Sequence, residues 1–293
     1  MEFKEQILEY TKEINKFLDT SIDIKNVPER RLLESMKYSL MAGGKRLRPI
    51  LLIATYKLFK DDYINAIPFA IAMEMVHNFS LIHDDLPAID NDDFRHNIPT
   101  NHNVFGESTA ILAGDGLLNG AYELISESLM DKHNLENKVR AYNEFSKSVF
   151  RMISGEYVDI DCEGKDIPYE LLEYMHQNKT GSLLKASVRI GAILAGAGET
   201  DISKLTEYAD KIGLAFQIKD DILSEIGEEK IMGKPVGNDK KMKKCSFATI
   251  YGTEKSNEIL ETLTNEAIQI AKTFEDKSDF FKEFALFVKK RNN

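Results

Sequence analysis

Five aspartates lie within one stretch of thirteen residues, directly behind a strongly apolar segment. The stretch runs from Leu81 to Asp93, and Arg95 follows it. Carboxylates this close together repel one another unless a cation lies among them, and Mg²⁺ prefers oxygen ligands of this kind. A solvated acidic loop is the alternative interpretation of a run of charges. It does not explain why the run continues an apolar pattern that includes Phe79 and Ile82, so the sequence favours a metal site.

A second aspartate pair, Asp220-Asp221, lies within a helical pattern far downstream. Its apolar neighbours Ile212, Phe216 and Leu223 are candidates for the core. An aspartate on a core-facing helix costs free energy unless it is paired, metal-bound or at the edge of a cavity. Taken alone, the pair could equally be exposed at a helix end. Together with the first stretch it favours two helices that present carboxylates across a cavity to shared ions.

Composition and charge restrict the class of partner. The chain has 293 residues and a formal net charge of −10, which argues against nucleic acid or an anionic membrane surface as a partner. The most apolar window, residues 190–198, is too short to span a bilayer, and the N-terminus lacks the apolar run of a signal peptide. Cys162 and Cys245 belong to no metal-binding pattern and suit a reducing compartment. We therefore expect a cytoplasmic protein without stable membrane insertion.

Apolar residues recur at helical spacing through most of the chain, and alternating strand patterns are nearly absent. The predicted helices cover approximately residues 3–18, 28–43, 49–60, 64–85, 107–130, 136–162, 168–197, 202–226, 241–272 and 278–290. Residues 90–106 and 227–239 are predicted to be loops, because they contain proline or several glycines and no periodicity. No linker divides the chain. The pattern therefore predicts an all-α fold of about ten or more helices, in a single domain over residues 1–293.

Basic groups that could hold an anion accompany the acidic motifs. Gly43-Gly44 allows close backbone approach and also suits the end of a helix, and Lys45 and Arg48 can reach one anion together at the start of the next helix. His77 lies two helical turns before the first aspartate pair, although a lone histidine is more often structural than a ligand. No nucleotide-binding loop and no Ser-His-Asp arrangement stands out. Acidic metal sites with basic anchors suggest diphosphates bridged by Mg²⁺.

The motifs together resemble those of the trans-isoprenyl diphosphate synthases, and most closely the bacterial farnesyl diphosphate synthases. The matching blocks, in the same order, are Gly43–Pro49, Ser80–Asp93, Gly155-Glu156-x-x-Asp159, Lys179-Thr180-Gly181, Phe216-Gln217-x-x-Asp220-Asp221 and Gly233-Lys234. The resemblance covers nearly the whole chain. It implies an all-α fold around a deep central cavity, a homodimer, and the joining of an allylic diphosphate to isopentenyl diphosphate.

The resemblance also assigns roles to individual residues. Three Mg²⁺ ions, for which Mn²⁺ could substitute, would be held by Asp84, Asp90 and Asp220, with support from Asp85 and Asp221. Isopentenyl diphosphate would be held by Gly44, Lys45, Arg48 and His77. The allylic diphosphate would be held by Arg95, Lys179, Gln217 and Lys234. Lys179 and Thr180 would face the C–O bond that ionises.

Product length is predicted from Phe79 and its neighbour Ser80. In the bacterial farnesyl diphosphate synthases an aromatic residue five positions before the motif closes the floor of the cavity and stops chain growth. Ideal helix geometry places Phe79 about 140° around the helix from Asp84, so this role comes from the resemblance alone. Farnesyl diphosphate is the expected product. The alternatives are a geranylgeranyl diphosphate synthase, a class I terpene cyclase, or a non-catalytic partner subunit of a larger prenyltransferase.

Three residues depart from the family pattern. Ser224 stands where the second motif usually has its last aspartate, and Glu156 replaces a glutamine. His96 stands where a second arginine usually helps to bind isopentenyl diphosphate, and a histidine titrates near neutrality. These departures bear on rate and affinity more than on the class of reaction.

Overall fold

A computed structural model describes residues 3–226 and 246–291 of the chain. Their helices are α1 (Phe3–Ser21), α2 (Arg30–Leu40), α3 (Leu47–Lys57), α4 (Ile67–Asp84), α5 (Asn101–Phe105), α6 (Glu107–Met130), α7 (Leu135–Cys162), α8 (Tyr169–His176), α9 (Ser182–Ala195), α10 (Glu199–Ile226), α11 (Phe247–Lys272) and α12 (Asp279–Lys290). Short 3-10 segments, Ile64–Ala66 and Glu275–Ser278, precede α4 and α12. The predicted all-α, single-domain fold class is confirmed, and the domain bounds 1–293 stay a prediction. The first residues of the helix predicted at 241–272 lie outside the described ranges, and α11 begins at Phe247.

Helix α4 lies at the centre of the bundle and carries the first aspartates at its end. Residues 69–76 of this mostly apolar helix are all buried, so every side of it is covered, and it packs mainly against α3 and α6. Its last residue is Asp84, and Pro87 follows where the helical pattern ends. The first aspartate motif therefore emerges directly from the core.

The loop predicted at residues 90–106 is wrong in part, because this segment contains a small hairpin and helix α5. Strands β1 (Phe94–Arg95) and β2 (Ile98–Pro99) pair antiparallel, with Arg95 opposite Ile98. The two turn residues, His96 and Asn97, have φ values of 52° and 64°. A two-residue hairpin turn of type I′ requires positive φ at both positions, and His and Asn are among the residues that tolerate it. So short a hairpin leaves no alternating apolar pattern to detect.

The single helix predicted at 168–197 is interrupted by a wider turn. Residues Gln177–Gly181 form a π-helical turn between α8 and α9. Such turns are uncommon and occur frequently at functional sites. A Cβ atom on Gly155 of α7 would lie 2.1 Å from the backbone nitrogen of Lys179. The glycine therefore lets α7 pack directly against the backbone of this turn.

The remaining helices close the bundle around these elements. Helix α9 packs against α3 and α7, and α10 packs along α11. In the described ranges, no helix has both the length and the apolar character needed to cross a membrane.

Candidate active site

The carboxylate of Asp84 lies within electrostatic reach of both carboxylates and cations. The backbone nitrogen of Asp90 donates to the carbonyl oxygen of Asp84 at 2.8 Å, which folds the aspartate stretch back onto the end of α4. Burial and the nearby charge of Glu156 raise the pKa of Asp84 to about 7, while Lys179 and Arg95 act in the opposite direction. A divalent cation at this position would relieve the repulsion.

Lys179, in the π-helical turn, is held by two carboxylates of α7. Its Nζ lies 2.5 Å from Oδ2 of Asp159 and 2.7 Å from Oε2 of Glu156. Burial disfavours the charged ammonium, but the charges of Asp159, Glu156 and Asp84 together raise the pKa of Lys179 above its ordinary value. Lys179 is therefore a permanent cation beside the first aspartate motif.

A chain of hydrogen bonds connects the π-helical turn with the second aspartate motif. Thr180 Oγ1 donates to Gln217 Oε1 at 2.7 Å, and Gln217 Nε2 donates to Asp221 Oδ1 at 2.9 Å. The other oxygen of Asp221 accepts from the backbone nitrogen of Phe247 at 2.8 Å, at the start of α11. Asp221 is buried, and both of its oxygens have partners within the protein.

Asp220 faces a different set of basic residues. Arg291, which follows α12, places Nη2 2.7 Å from Asp220 Oδ1 and stacks its guanidinium on the ring of Phe216 at 3.7 Å. Burial lowers the pKa values of Lys45 and Arg48, and the charge of Asp220 partly offsets this for both. The second aspartate motif is therefore close to Lys45 and Arg48, in the basic segment Gly43–Pro49 at the start of α3.

The basic segment Gly43–Pro49 and the hairpin bring several cationic groups close to His77. Burial lowers the pKa of His77 well below its ordinary value, and the positive charges of Arg48, His96 and Arg95 lower it further. The backbone of Gly44 has φ of +100°, and a Cβ there would lie 3.3 Å from His96 Nε2. This cluster of positive groups can receive an anion.

Arg95 is bound to two aspartates of the first motif. Its guanidinium contacts Asp85 through Nε and Nη2, and Nη2 also lies 3.3 Å from Asp92 Oδ2. The carboxylate of Asp85 therefore supports Arg95 in this arrangement. Its assignment as a metal ligand remains a prediction.

The two residues predicted to control product length lie on α4. Phe79 is buried, and its ring makes an edge contact with the ring of His83 at 4.9 Å. Ser80 donates to the carbonyl oxygen of His77 at 2.9 Å. Lys234, predicted to bind the allylic diphosphate, lies outside the described residues.

The donor groups fit a magnesium ion by their chemistry. Asp84, Asp90 and Asp220 offer carboxylate oxygens, and Oε1 of Glu156 is buried without a hydrogen-bond partner among the described residues. Within residues 3–226 and 246–291, no three His, Cys, Asp or Glu side chains already form a compact metal site. Magnesium usually bridges one or two carboxylates to substrate phosphates, so a site completed by the substrate is consistent with both observations.

Two residues of this region were not identified from the sequence. Arg291 lies at the C-terminal end of the chain, far from any motif. His176 is buried, lies 3.6 Å from Asp221 Oδ2 through Nε2, and stacks on the ring of Phe247. His176 lies three residues before Lys179, and this proximity to a motif was the only signal in the sequence.

Comparison with known proteins gives the class of this chain. The sequence model of the polyprenyl synthetase family matches residues 29–284. The chain therefore belongs to the polyprenyl synthetase family, and it is a trans-prenyl diphosphate synthase.

Individual relatives have different products. The chain is 41% identical over 292 residues to a geranylgeranyl diphosphate synthase of Cyanophora paradoxa. The alignment covers 98% of this chain and 97% of the relative. It is 44% identical over 232 residues to a farnesyl diphosphate synthase of Geobacillus stearothermophilus, covering 78% of each. A geranyltransferase of Helicobacter pylori, solved in complex with magnesium and isoprenyl diphosphate, superposes with a TM-score of 0.85 at 28% identity and covers 96% of this chain and 94% of that chain.

Proposed function

We propose that this chain joins isopentenyl diphosphate to dimethylallyl or geranyl diphosphate and makes farnesyl diphosphate as its main product. The observation that carries the proposal is the link between the two aspartate motifs. Asp84 acts electrostatically on Lys179, and the adjacent Thr180 is hydrogen-bonded through Gln217 to Asp221. Both motifs are thereby connected to one π-helical turn, which supports a shared site.

The proposed metal is Mg²⁺, three ions per site, with Mn²⁺ as a substitute. Asp84, Asp90 and Asp220 would hold the ions, and Asp85 and Asp221 would orient the groups around them. When bound, the ions stabilise the negative charge that develops on the diphosphate leaving group. The magnesium found in the Helicobacter pylori relative supports this assignment.

Two groups of side chains would bind one substrate each. Arg95, Lys179, Gln217 and Lys234 would hold the allylic diphosphate, and Gly44, Lys45, Arg48, His77 and His96 would hold isopentenyl diphosphate. Lys179 is kept cationic by three carboxylates and stabilises the departing diphosphate oxygen. The C–O bond breaks with its electron pair on the diphosphate, and the double bond of isopentenyl diphosphate attacks the allylic cation held beside it. A proton is then lost to the released diphosphate, which restores the double bond.

The farnesyl product rests on Phe79. Its ring is buried in α4 five residues before Asp84, on the helix that supplies the first motif. A ring in this position supports a short cavity. The 41% identity to the geranylgeranyl diphosphate synthase of Cyanophora paradoxa extends over 98% of this chain, and it makes geranylgeranyl diphosphate the second candidate product.

A homodimer is proposed from an exposed apolar face. On α7, Phe150 and Tyr157 are 71% and 68% exposed, and Ile153 and Ile160 lie on the same stripe at helical spacing. Leu112 of α6 is also exposed. Exposed apolar side chains in a stripe along α7 support an interaction site, and a second copy can cover it with the same stripe. A cytoplasmic location is proposed from cysteine usage.

The direct test is product analysis. The purified chain, with Mg²⁺ and labelled isopentenyl diphosphate, is given dimethylallyl or geranyl diphosphate, and the products are separated by chromatography. Farnesyl diphosphate is expected. A geranylgeranyl main product overturns the assignment of product length, and activity only after a partner subunit is added supports the non-catalytic alternative.

A pair of variants connects this test to the site. Asp84→Asn is expected to lower turnover by several orders of magnitude without unfolding the chain. Asp93→Asn is the matched control, because Asp93 is an exposed aspartate of the same stretch. Equal activity of the two variants contradicts the role of Asp84.

A further inference from the structure

Arg46 lies between the two predicted anion-binding residues, Lys45 and Arg48, but has a different environment. Its backbone has φ of 50°, and its side chain is buried. Nη2 donates to the carbonyl oxygen of Leu40 at 2.7 Å, and Nε donates to Asn15 Oδ1 at 3.0 Å. All three guanidinium nitrogens are used within the protein, because Nη1 donates to a buried carboxylate. Arg46 is therefore directed into the core and away from a substrate.

The carboxylate that receives Arg46 Nη1 belongs to Glu74 of α4. Glu74 is 2% exposed, and its Oε1 lies 2.8 Å from Arg46 Nη1. Its other oxygen, Oε2, is buried and has no hydrogen-bond partner in the described part of the chain. A buried carboxylate is strongly destabilising unless a cation or hydrogen-bond donors compensate its charge. Arg46 therefore supplies the compensation that Glu74 requires.

Arg48 is the second cation near this carboxylate. The negative charge of Glu74 raises the pKa of Arg48, against the larger lowering effect of burial, so the two side chains are within electrostatic reach. Nε of Arg48 is buried and, among residues 3–226 and 246–291, has no hydrogen-bond partner. Glu74 and Arg48 thus each keep one buried polar atom without a hydrogen-bond partner among the described residues, while Arg46 holds the carboxylate.

We propose that Arg46 is a positioning residue that occupies the carboxylate of Glu74 and so leaves Arg48 available to the diphosphate of isopentenyl diphosphate. The inference rests on the function proposed above, because it acts through the anion-binding role of Arg48. Without Arg46, Glu74 would pair with Arg48 and neutralise the cation that the substrate needs. Arg46 would then affect affinity for one substrate without touching it.

The test measures binding of isopentenyl diphosphate alone, which cannot react without an allylic partner. Titration calorimetry is carried out on the full chain, and thermal unfolding is recorded for every variant. Arg46→Met is expected to weaken binding by about tenfold to a hundredfold, the scale of losing a hydrogen bond to a charged group. The KM for the allylic diphosphate is expected to stay within about threefold of the wild-type value, a difference of well under 1.4 kcal/mol.

The second-site variant separates positioning from a structural role. In Arg46→Met combined with Glu74→Gln, no carboxylate remains to capture Arg48, so binding is expected to return to within about threefold of wild type. Arg46→Lys keeps a cation for Glu74 while losing the fork that reaches Leu40 and Asn15, and it is expected to retain binding. This variant keeps the proposal testable if Arg46→Met does not fold.

Arg189→Met is the matched control. Arg189 Nε lies 2.8 Å from Glu144 Oε1, in a partly buried pair on α9 and α7. Ten residues separate Arg189 from Lys179, and in a helix this is about 15 Å along the axis. This variant is expected to lower the unfolding temperature without changing the affinity for isopentenyl diphosphate.

Two outcomes overturn the inference in distinguishable ways. If Arg46→Met and the double variant bind isopentenyl diphosphate equally weakly, the effect is structural and Arg46 does not act through Glu74. If the wild-type chain itself does not bind isopentenyl diphosphate, the proposed function fails and this inference fails with it. Recovery of binding in the double variant, with no change in Arg189→Met, supports the inference.

Discussion

Gly155 of α7 and Lys179 of the π-helical turn are in direct backbone contact, and a Cβ at position 155 would lie 2.1 Å from the nitrogen of Lys179. The glycine is followed by Glu156, whose carboxylate pairs with the side chain of the same lysine. Helix packing and the charge environment of Lys179 therefore depend on one short stretch of α7.

Replacing Gly155 by alanine is expected to displace the π-helical turn, because neither backbone can move without disturbing α7 or α9. The overpacking should cost about 1–3 kcal/mol of stability, measured by chemical denaturation, and turnover should fall. Gly120→Ala is the control. A Cβ at Gly120 of α6 meets nothing within 4 Å, so this change should be neutral or stabilise the chain by up to about 1 kcal/mol. Equal effects of the two substitutions would contradict the close packing.

Replacing Glu156 by glutamine should lower the pH at which the metal binds. Burial and then the charge of Glu156 raise the pKa of Asp84 to about 7, and metals bind the ionised carboxylate. Removing this charge lowers the pKa of Asp84, so the ionised form persists to lower pH. The measurement is Mn²⁺ affinity as a function of pH. Asp161→Asn is the control, because Asp161 lies on the same helix as Glu156 and forms an exposed pair with Lys165, which follows that helix. A midpoint that moves equally in both variants, or in neither, would reject the coupling.

Replacing His176 by asparagine should flatten the loss of stability in weak acid. Burial lowers the pKa of His176 to about 3, whereas an unfolded histidine titrates near 6.5. Between these values the unfolded chain binds a proton that the native chain does not, so stability falls as the pH decreases below about 6.5. At pH 5 this amounts to about 2 kcal/mol relative to pH 7. The variant should lack this part of the slope.

The control for this experiment is His133→Asn, since His133 is exposed. Urea unfolding at a series of pH values gives the slope for each protein. The account is contradicted if His176→Asn keeps the full acid dependence, or if His133→Asn removes as much of it.

Replacing Phe79 by alanine should lengthen the product. The ring is buried and contacts the ring of His83, and its removal opens space in the direction of the growing chain if Phe79 forms the floor. Chromatography of the products from geranyl diphosphate is expected to show a shift from farnesyl to longer diphosphates. Phe69→Ala, which removes another buried ring of the same helix, should lower stability without changing the product. An unchanged product in Phe79→Ala would dismiss its role in chain length.

The arrangement of long helices could be predicted from the sequence because each buries a continuous apolar face. The boundaries of α6, at Glu107 and Met130, follow directly from this periodicity. The interruption at Gln177–Gly181 could not be predicted in this way. A π-helical turn adds one residue to a helix without altering its apolar composition. The turn packs against Gly155, which is distant in the sequence, so its position depends on tertiary contacts that helical periodicity does not report.

Some residues of the candidate site could be predicted from sequence motifs, and others could not. Motifs identified Asp84, Lys179 and Gln217, and the structure connects them by charge and hydrogen bonds. Arg291 could not be predicted, because its partner, Asp220, is far away in the sequence and the pair forms only through tertiary packing. The separate role of Arg46 could not be predicted either, since its neighbours Lys45 and Arg48 have the same charge and only its hydrogen bonds within the core distinguish it.

The central claim is that Asp84 and Asp220 act on one diphosphate through shared metal ions. The most direct measurement is a crystal structure with Mn²⁺ and an unreactive allylic thiodiphosphate, in which anomalous scattering locates the ions. The account predicts Mn²⁺ bound to Asp84 and Mn²⁺ bound to Asp220, with all ions contacting the same diphosphate. Ions at only one aspartate motif, or two motifs that open into separate pockets, would contradict it.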